Sequence, residues 1–190
     1  MSCRGVANGT SCSAGAAEVQ GGPVERWGAP LYGDPCRQCG FHWSITPGAA
    51  MDLIARVPVR YAELLADTDG SQRHPDLDWT AGAYVCHVSD NLRIWAERLA
   101  GAALGGSQLV PGYDENLLAR ARAYERVPLA GALWSLECAA RDWREAVHLA
   151  LARDAVLLHA GRGEQRVADV ARNNAHDAHH HAWDIRRSMM

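Results

Sequence analysis

The chain contains no lysine: all 19 of its basic residues are arginine. Together with heavy use of Ala and Gly, that is the codon signature of a GC-rich bacterial genome and carries no chemistry. Long apolar runs are also missing. The longest falls far short of the ~20 residues needed to span a bilayer, so no membrane helix is expected. The opening Met1-Ser-Cys-Arg-Gly lacks the apolar stretch of a secretory signal. A cytoplasmic protein with reduced thiols is therefore the expectation. Net charge is small, −3 over 190 residues, which removes the electrostatic reason to expect a nucleic-acid partner. No strand–helix alternation of an α/β sheet is present. Nor is there a phosphate-cradling glycine loop, a dinucleotide fingerprint or a Ser/His/Asp arrangement.

What is there reads as helices. Residues 1–33, rich in Gly, Ala and Ser and without helical or strand period, read as a flexible tail. Residues 34–45 form a cysteine knuckle, and residues 46–190 the folded domain. Thr46-Pro47 is an N-cap followed by proline at the first helical position. The helix after it carries Met51, Ile54, Val57, Tyr61, Leu64 and Leu65, with Pro58 expected to kink it or mark a short early turn. Asp78-Trp79-Thr80 opens a second helix with a Tyr84, Val88, Leu92, Trp95 and Leu99 stripe, and Gly101 to Gly112 is a loop. A short extra helix spans Asp114 to Tyr124. Pro128 opens a helix with Leu133, Leu136, Ala140, Trp143 and Val147. Ala155 to Leu158 is a brief extended piece, and the last helix runs from about Arg166 to Arg187. Four long amphipathic helices joined by modest loops predict an all-α four-helix bundle. Trp95, Trp134 and Trp143 are expected to pack in its core.

In a reducing compartment the six cysteines read as thiols or ligands rather than disulfides. Cys86 and Cys138 lie in apolar helical patterns and are expected as small buried hydrophobes. Cys36-Arg-Gln-Cys39-Gly-Phe is different: a C-x-x-C followed by Gly makes a tight thiolate-presenting turn, half of a zinc ribbon. A tetrahedral structural zinc needs two more ligands. His42 is near enough to be one, and Cys3 or Cys12 are available only if the tail folds back. Exposed or packed thiols and a redox pair are the alternatives, although a thioredoxin-type centre needs a strand–helix context that is missing.

The densest chemistry lies near the C-terminus, where His176, Asp177, His179, His180, His181 and Asp184 fall within ten residues. On a helix, residues four apart share a face, which pairs Asp177 with His181 and His176 with His180. At ~100° per residue, Val167, Val170, Asn174, Ala178 and Ile185 define the apolar side. His181 projects near its middle and Asp177 at its edge. His176 and His180 project to the flank or outside, and His179 nearly opposite. The inward pair is thus Asp177/His181, with His176/His180 as fallback. His87, at the edge of the second helix's stripe with Asn91 one turn on, is the candidate third ligand. Two imidazoles and a carboxylate make a facial site for a first-row divalent ion with positions left open. A solvated histidine face and a satisfied boundary His87 are the bland alternatives. Trp79 and Trp183 flank the proposed ligands and are candidates for the pocket wall. Asp90 and Asp184 are candidates to orient ligand imidazoles, or else surface salt-bridge partners.

Trp79-Thr-Ala-Gly-Ala-Tyr-Val-Cys-His87-Val-Ser-Asp90 resembles the second-helix signature of the DinB/YfiT-like superfamily, a tryptophan followed eight residues later by the ligand histidine. His176-Asp-Ala-His-His-His181-Ala-Trp-Asp184-Ile185 resembles its last-helix signature, in which a ligand pair four apart precedes an Asp/Gln–aliphatic pair. Anchored on Asp184-Ile185, the resemblance implies His181 as ligand and Asp177 as its partner, where relatives carry His or Glu. The shorter Asp is the departure, and a small helix rotation would bring in His176/His180 instead. The resemblance covers roughly residues 47–187. It implies a DinB-like four-helix bundle holding zinc, nickel, iron or manganese, and homodimers are common among relatives. Members with assigned activities include thiol-dependent transferases and a mycothiol-dependent maleylpyruvate isomerase.

The expected function is that of a metal-dependent enzyme acting on a small molecule, of transferase, isomerase or hydrolase type. Lewis-acid activation of a thiol or water would drive it, with mycothiol or a similar thiol as co-substrate. The alternative is a non-catalytic metal- or ligand-binding protein of the same fold.

Overall fold

Capping threonines set the starts of the first two long helices. Thr46 Oγ1 accepts the Ala49 N–H at 3.1 Å and opens α2 (Pro47–Leu64); Thr80 Oγ1 accepts the Ala83 N–H at 3.2 Å and opens α3 (Ala81–Ala103). The computed structural model describes residues 27–190. Ahead of α2 lies a four-residue helix, α1 (Ala29–Tyr32). After α3 come strand β1 (Leu109–Val110), helix α4 (Glu115–Ala121) and a 3₁₀ turn at Tyr124–Arg126. Asp114 caps α4, its Oδ1 accepting the Leu117 N–H at 2.8 Å. Helix α5 (Leu129–Ala152), strands β2 (Val156–His159) and β3 (Gly163–Arg166), and helix α6 (Val167–Ser188) complete the chain.

The four long helices form the expected all-α bundle. Helix α3 packs along α5, α5 against α2, α2 against α6, and α6 back onto α3. Between them lie Trp143, Tyr61, Ile54, Leu92, Leu136 and Ile185, all fully buried. A row of alanines on α6 (Ala171, Ala175, Ala178 and Ala182) is buried too, and its small side chains let the neighbouring backbones approach. Across that contact Tyr61 donates its hydroxyl to the Ala178 carbonyl at 2.7 Å, tying α2 to α6. The α2–α3 connection closes where the Gly82 N–H donates to the Gly70 carbonyl at 2.8 Å; Gly70 has φ +82° there, a conformation glycine adopts without penalty. Among the described residues, no helix is long and apolar enough to cross a membrane.

Several expectations shift. Helix α2 starts at Pro47 as expected and continues as one helix through Pro58, which marks no early turn. The extended piece is the middle strand of a small sheet in the order β1-β2-β3, parallel to β1, which lies inside the expected loop, and antiparallel to β3. Trp134 is 67% exposed rather than in the core. Helix α5 buries Ala132, Leu136, Ala139, Ala140 and Trp143, and a residue two positions from Ala132 points about 200° away from it. Cys86 is buried, whereas Cys138 is only half-buried. Most of the expected tail, with Cys3 and Cys12, lies outside the described residues. Residues 29–32 of that expected tail form helix α1 rather than unstructured chain.

Candidate metal centre

His87 sits two turns into α3, a helix buried on nearly every side, and Asp177 and His181 lie one turn apart on α6. Packing of α6 on α3 brings the three together. His87 Nε2 is 3.7 Å from Asp177 Oδ1, and His181 Nε2 is 3.5 Å from the same oxygen. All three ligand atoms lie within 4.8 Å of one another. Bonds of about 2.0–2.2 Å to one tetrahedral ion place its ligand atoms about 3.4 Å apart, so this donor set fits a single first-row divalent cation. The three side chains line a cavity of about 520 Å³.

Neighbouring groups hold each ligand in a defined orientation. His181 Nδ1 lies 2.9 Å from Asp184 Oδ2; a carboxylate only accepts, so Nδ1 carries the proton and Nε2 is the atom turned to Asp177. Asn91 Nδ2 donates to Asp177 Oδ2 at 2.7 Å, leaving Oδ1 for the imidazoles, and the Tyr113 hydroxyl donates to Asn91 Oδ1 at 3.2 Å. Burial disfavours the charged form of His181, yet the Asp177 charge and the bonds to Asp177 and Asp184 outweigh it and raise its pKa to about 9. Burial likewise opposes ionisation of Asp177, but His181 and His87 hold its carboxyl well below the usual range. Trp79 lies 4.9 Å from the His87 ring and lines the cavity; Tyr84 stacks on His181 at 5.0 Å.

Other expected site residues fall elsewhere. Asp90 does not orient a ligand imidazole. It is a buried ion-pair hub, accepting the Tyr124 hydroxyl at 2.6 Å and pairing with Arg93 and with Arg122 at 2.8 Å, because one position along α3 from the Asn91 face points it at α4 and the 3₁₀ turn. Trp183 does not line the cavity; it packs beside His180 at 5.5 Å, with the Arg187 guanidinium 4.6 Å from its ring centroid.

The fallback pair is not outside. His176 is only 4% exposed, with Tyr32 and Trp43 rings at 4.5 Å and Phe41 at 5.4 Å around it. Helical phase alone puts this face outward, but residues 27–43 come from outside the bundle pattern and cover it. Burial lowers the His176 pKa to about 4, the nearby His180 adding to the effect, and burial lowers His180 as well. The knuckle is built by the Cys36 N–H donating to the Phe41 carbonyl at 2.8 Å and the Gly40 N–H to the Cys36 carbonyl at 2.9 Å, with Gly40 at φ +75°. It presents Cys36 and Cys39 to α6, where their sulfurs and one ring nitrogen each from His176 and His180 all lie within 4.8 Å of one another. Burial works against a Cys36 thiolate, but hydrogen bonds from the Cys39 and Gln38 backbone hold its pKa below the usual thiol value. Burial and the adjacent Cys36 push Cys39 up to about 11. His42 is exposed and takes no part in this cluster.

Sequence reasoning missed Tyr84, Tyr113, Arg98 and His159 around the cavity, and Trp27 and Tyr32 in its wall. Tyr84 was findable, since it precedes His87 by three residues on one helix face. Arg98 was findable as well, since it lies two turns beyond Asn91 on α3. Tyr113, His159, Trp27 and Tyr32 sit on a loop, a strand and the N-terminal segment, where no bundle period marks a direction.

No protein-family model matches the chain, and no curated protein sequence does. A solved structure does: YfiT from Bacillus subtilis, described as a probable metal-dependent hydrolase with an unusual four-helix bundle topology. The likeness has a TM-score of 0.62 at 16% identity and covers 73% of this chain and 83% of that one. At that identity the two share a fold, the YfiT-like four-helix bundle.

Proposed function

We propose that this chain is a metal-dependent enzyme acting on a small polar molecule, its ion held by His87, Asp177 and His181. The observation that carries the reading is the approach of two imidazole nitrogens, from different helices, to Asp177 Oδ1 at 3.5 and 3.7 Å in the wall of a 520 Å³ cavity. Three protein ligands with positions left open belong to catalytic rather than structural centres. A zinc, nickel, iron or manganese ion so held supplies Lewis acidity, lowering the pKa of a thiol or water for attack on an electrophile.

The chain's own residues do the rest. Asp184 keeps the His181 proton on Nδ1, and Tyr113 through Asn91 keeps Asp177 Oδ1 aimed inward. Trp79 and Trp95 wall the cavity, while Arg98, Arg162 and Glu115 line it with charge of both signs, which suits a small polar substrate. Thiol-dependent transfer or isomerisation, with mycothiol or a similar thiol as co-substrate, is supported by the motif resemblance. Hydrolysis, with water as nucleophile, is supported by the likeness to YfiT. A cytoplasmic setting suits a reduced thiol co-substrate.

The test is a screen of thiols and small electrophiles against wild-type protein loaded with each candidate metal, beside His87→Ala and His181→Ala. Turnover in the wild type that falls to background in both variants, with loss of bound metal, is the expected result. Turnover undiminished in His181→Ala overturns the proposal. Metal binding with no turnover across the screen favours the non-catalytic alternative.

A further inference from the structure

The second cluster on α6 has the composition and closure of a structural centre. Cys36 and Cys39 reach it from the knuckle and His176 and His180 from one face of the helix, four donors mutually within 4.8 Å. His180 Nδ1 is 4.0 Å from Cys36 Sγ. Ions bound at about 2.3 Å to sulfur and about 2.0–2.1 Å to nitrogen hold tetrahedral ligands about 3.4–3.8 Å apart, so a small inward adjustment completes the shell. We propose that Cys36, Cys39, His176 and His180 form a second, closed metal site, a two-thiolate, two-imidazole tetrahedral centre for zinc, which clamps the N-terminal segment to the last helix.

Four features of the surroundings support it. His176 Nε2 is buried with no hydrogen-bond partner, so this imidazole sits among the donors without the satisfaction a core histidine normally finds. Backbone groups of Gln38 and Cys39 hydrogen-bond Cys36 Sγ, an arrangement suited to a thiolate ligand. His179 reinforces the seam. The Arg60 guanidinium can only donate to His179 Nδ1 (3.3 Å), so His179 Nε2 carries the proton and donates to the Cys39 carbonyl at 3.1 Å. Charge also balances: two thiolates cancel a divalent ion and neutral imidazoles add nothing, so the filled site buries no net charge. A redox role fits poorly, since Cys36 is 3% exposed and its sulfur lies against the His180 imidazole.

The clamp has a consequence for the first site. The segment it holds contributes Trp27, Leu31 and Tyr32 to the cavity wall. Asp184 Oδ2 lies 2.9 Å from His181 Nδ1 and 3.8 Å from His180 Nε2, so one carboxylate stands behind a ligand of each site. The second centre thus shapes the pocket into which the first one opens.

Cobalt(II) reports the two sites separately, because only the second offers sulfur. Full-length wild-type protein, stripped and reloaded with cobalt, is expected to show thiolate-to-metal charge transfer and to bind about two equivalents per chain. Cys36→Ser and His176→Ala are expected to lose about one equivalent together with the charge-transfer band. His181→Ala is expected to lose about one equivalent and keep the band, and His42→Ala to change neither. Absence of the band in the wild type, which needs no variant to fold, overturns the proposal, as does full retention of the band in Cys36→Ser. A single equivalent with the band present upholds this site while counting against the first.

Discussion

At His181 the two ring nitrogens have separate tasks: Nδ1 donates to Asp184 and Nε2 faces Asp177. Free of metal, a His181 pKa near 9 means the ring is protonated at neutral pH, so a cation must displace that proton. Metal affinity should fall about tenfold for each pH unit below about 9, with about one proton released from this residue on uptake. Titrations giving the same affinity at pH 7 and 8.5 would contradict this. Asn91→Ala, which frees Asp177 Oδ2, should weaken binding at the first site by about 10–100-fold and leave the fold intact, as circular dichroism alongside metal titration would show. His176 works in the opposite sense. Its folded pKa of about 4 lies below the ordinary 6.5, so the unfolded chain takes up the proton first as the solution is acidified. That contribution to stability is present above pH 6.5 and is lost as pH falls towards 4. The raised His181 contributes fully below 6.5 and fades as pH rises through about 9. In chelator, His176→Phe should flatten the acid limb of a plot of Tm against pH; an unchanged limb would show that His176 does not carry it.

Among the elements, α6 does the most. Its alanine row meets the bundle, its Asp177/His181 edge meets α3, and its His176/His179/His180 face meets the knuckle. Removing the Tyr61 hydroxyl that joins α2 to α6 should destabilise the fold by about 1 kcal/mol, measurable as a shift in urea midpoint for Tyr61→Phe. The knuckle depends on fewer contacts. Arg37 is exposed at its turn, so trypsin should cut after Arg37 once metal is removed and spare it in zinc-loaded protein. Equal cleavage in both states would argue that packing of Tyr32, Phe41 and Trp43 holds the segment without an ion.

For the molecule as a whole, the two centres differ in closure, and closure governs exchange. The first brings three protein donors to the cavity and leaves positions open; the second, whose His176 and His180 also border that cavity, brings four and leaves none. Chelation should therefore remove metal in two phases, the fast one carrying any activity and the slow one carrying the thiolate spectrum. A single phase for both readouts would show the sites to be one coupled unit. Each bound ion stabilises the folded chain by mass action, about 2.7 kcal/mol at a hundredfold excess over its Kd.

Helical period, capping threonines and turn prolines were enough to lay out four long helices, because an amphipathic helix records in its own spacing which side it buries. The same rule brings Asp177 and His181 to one face and sets Tyr84 beside His87. It could not say what covers the opposite face of α6. Period reports the burial a helix needs within the bundle, and the cover there is residues 27–43, a segment with no period of its own. For that reason His176 and His180 read as flank residues, and His42, nearer in sequence, read as the knuckle's partner. Only the folded chain, with 140 or so residues between Cys36 and His180 closed into one contact, decides which cysteines and histidines meet. The physical reason is that sequence spacing determines directions along a single element, whereas a metal site is a coincidence of directions from several.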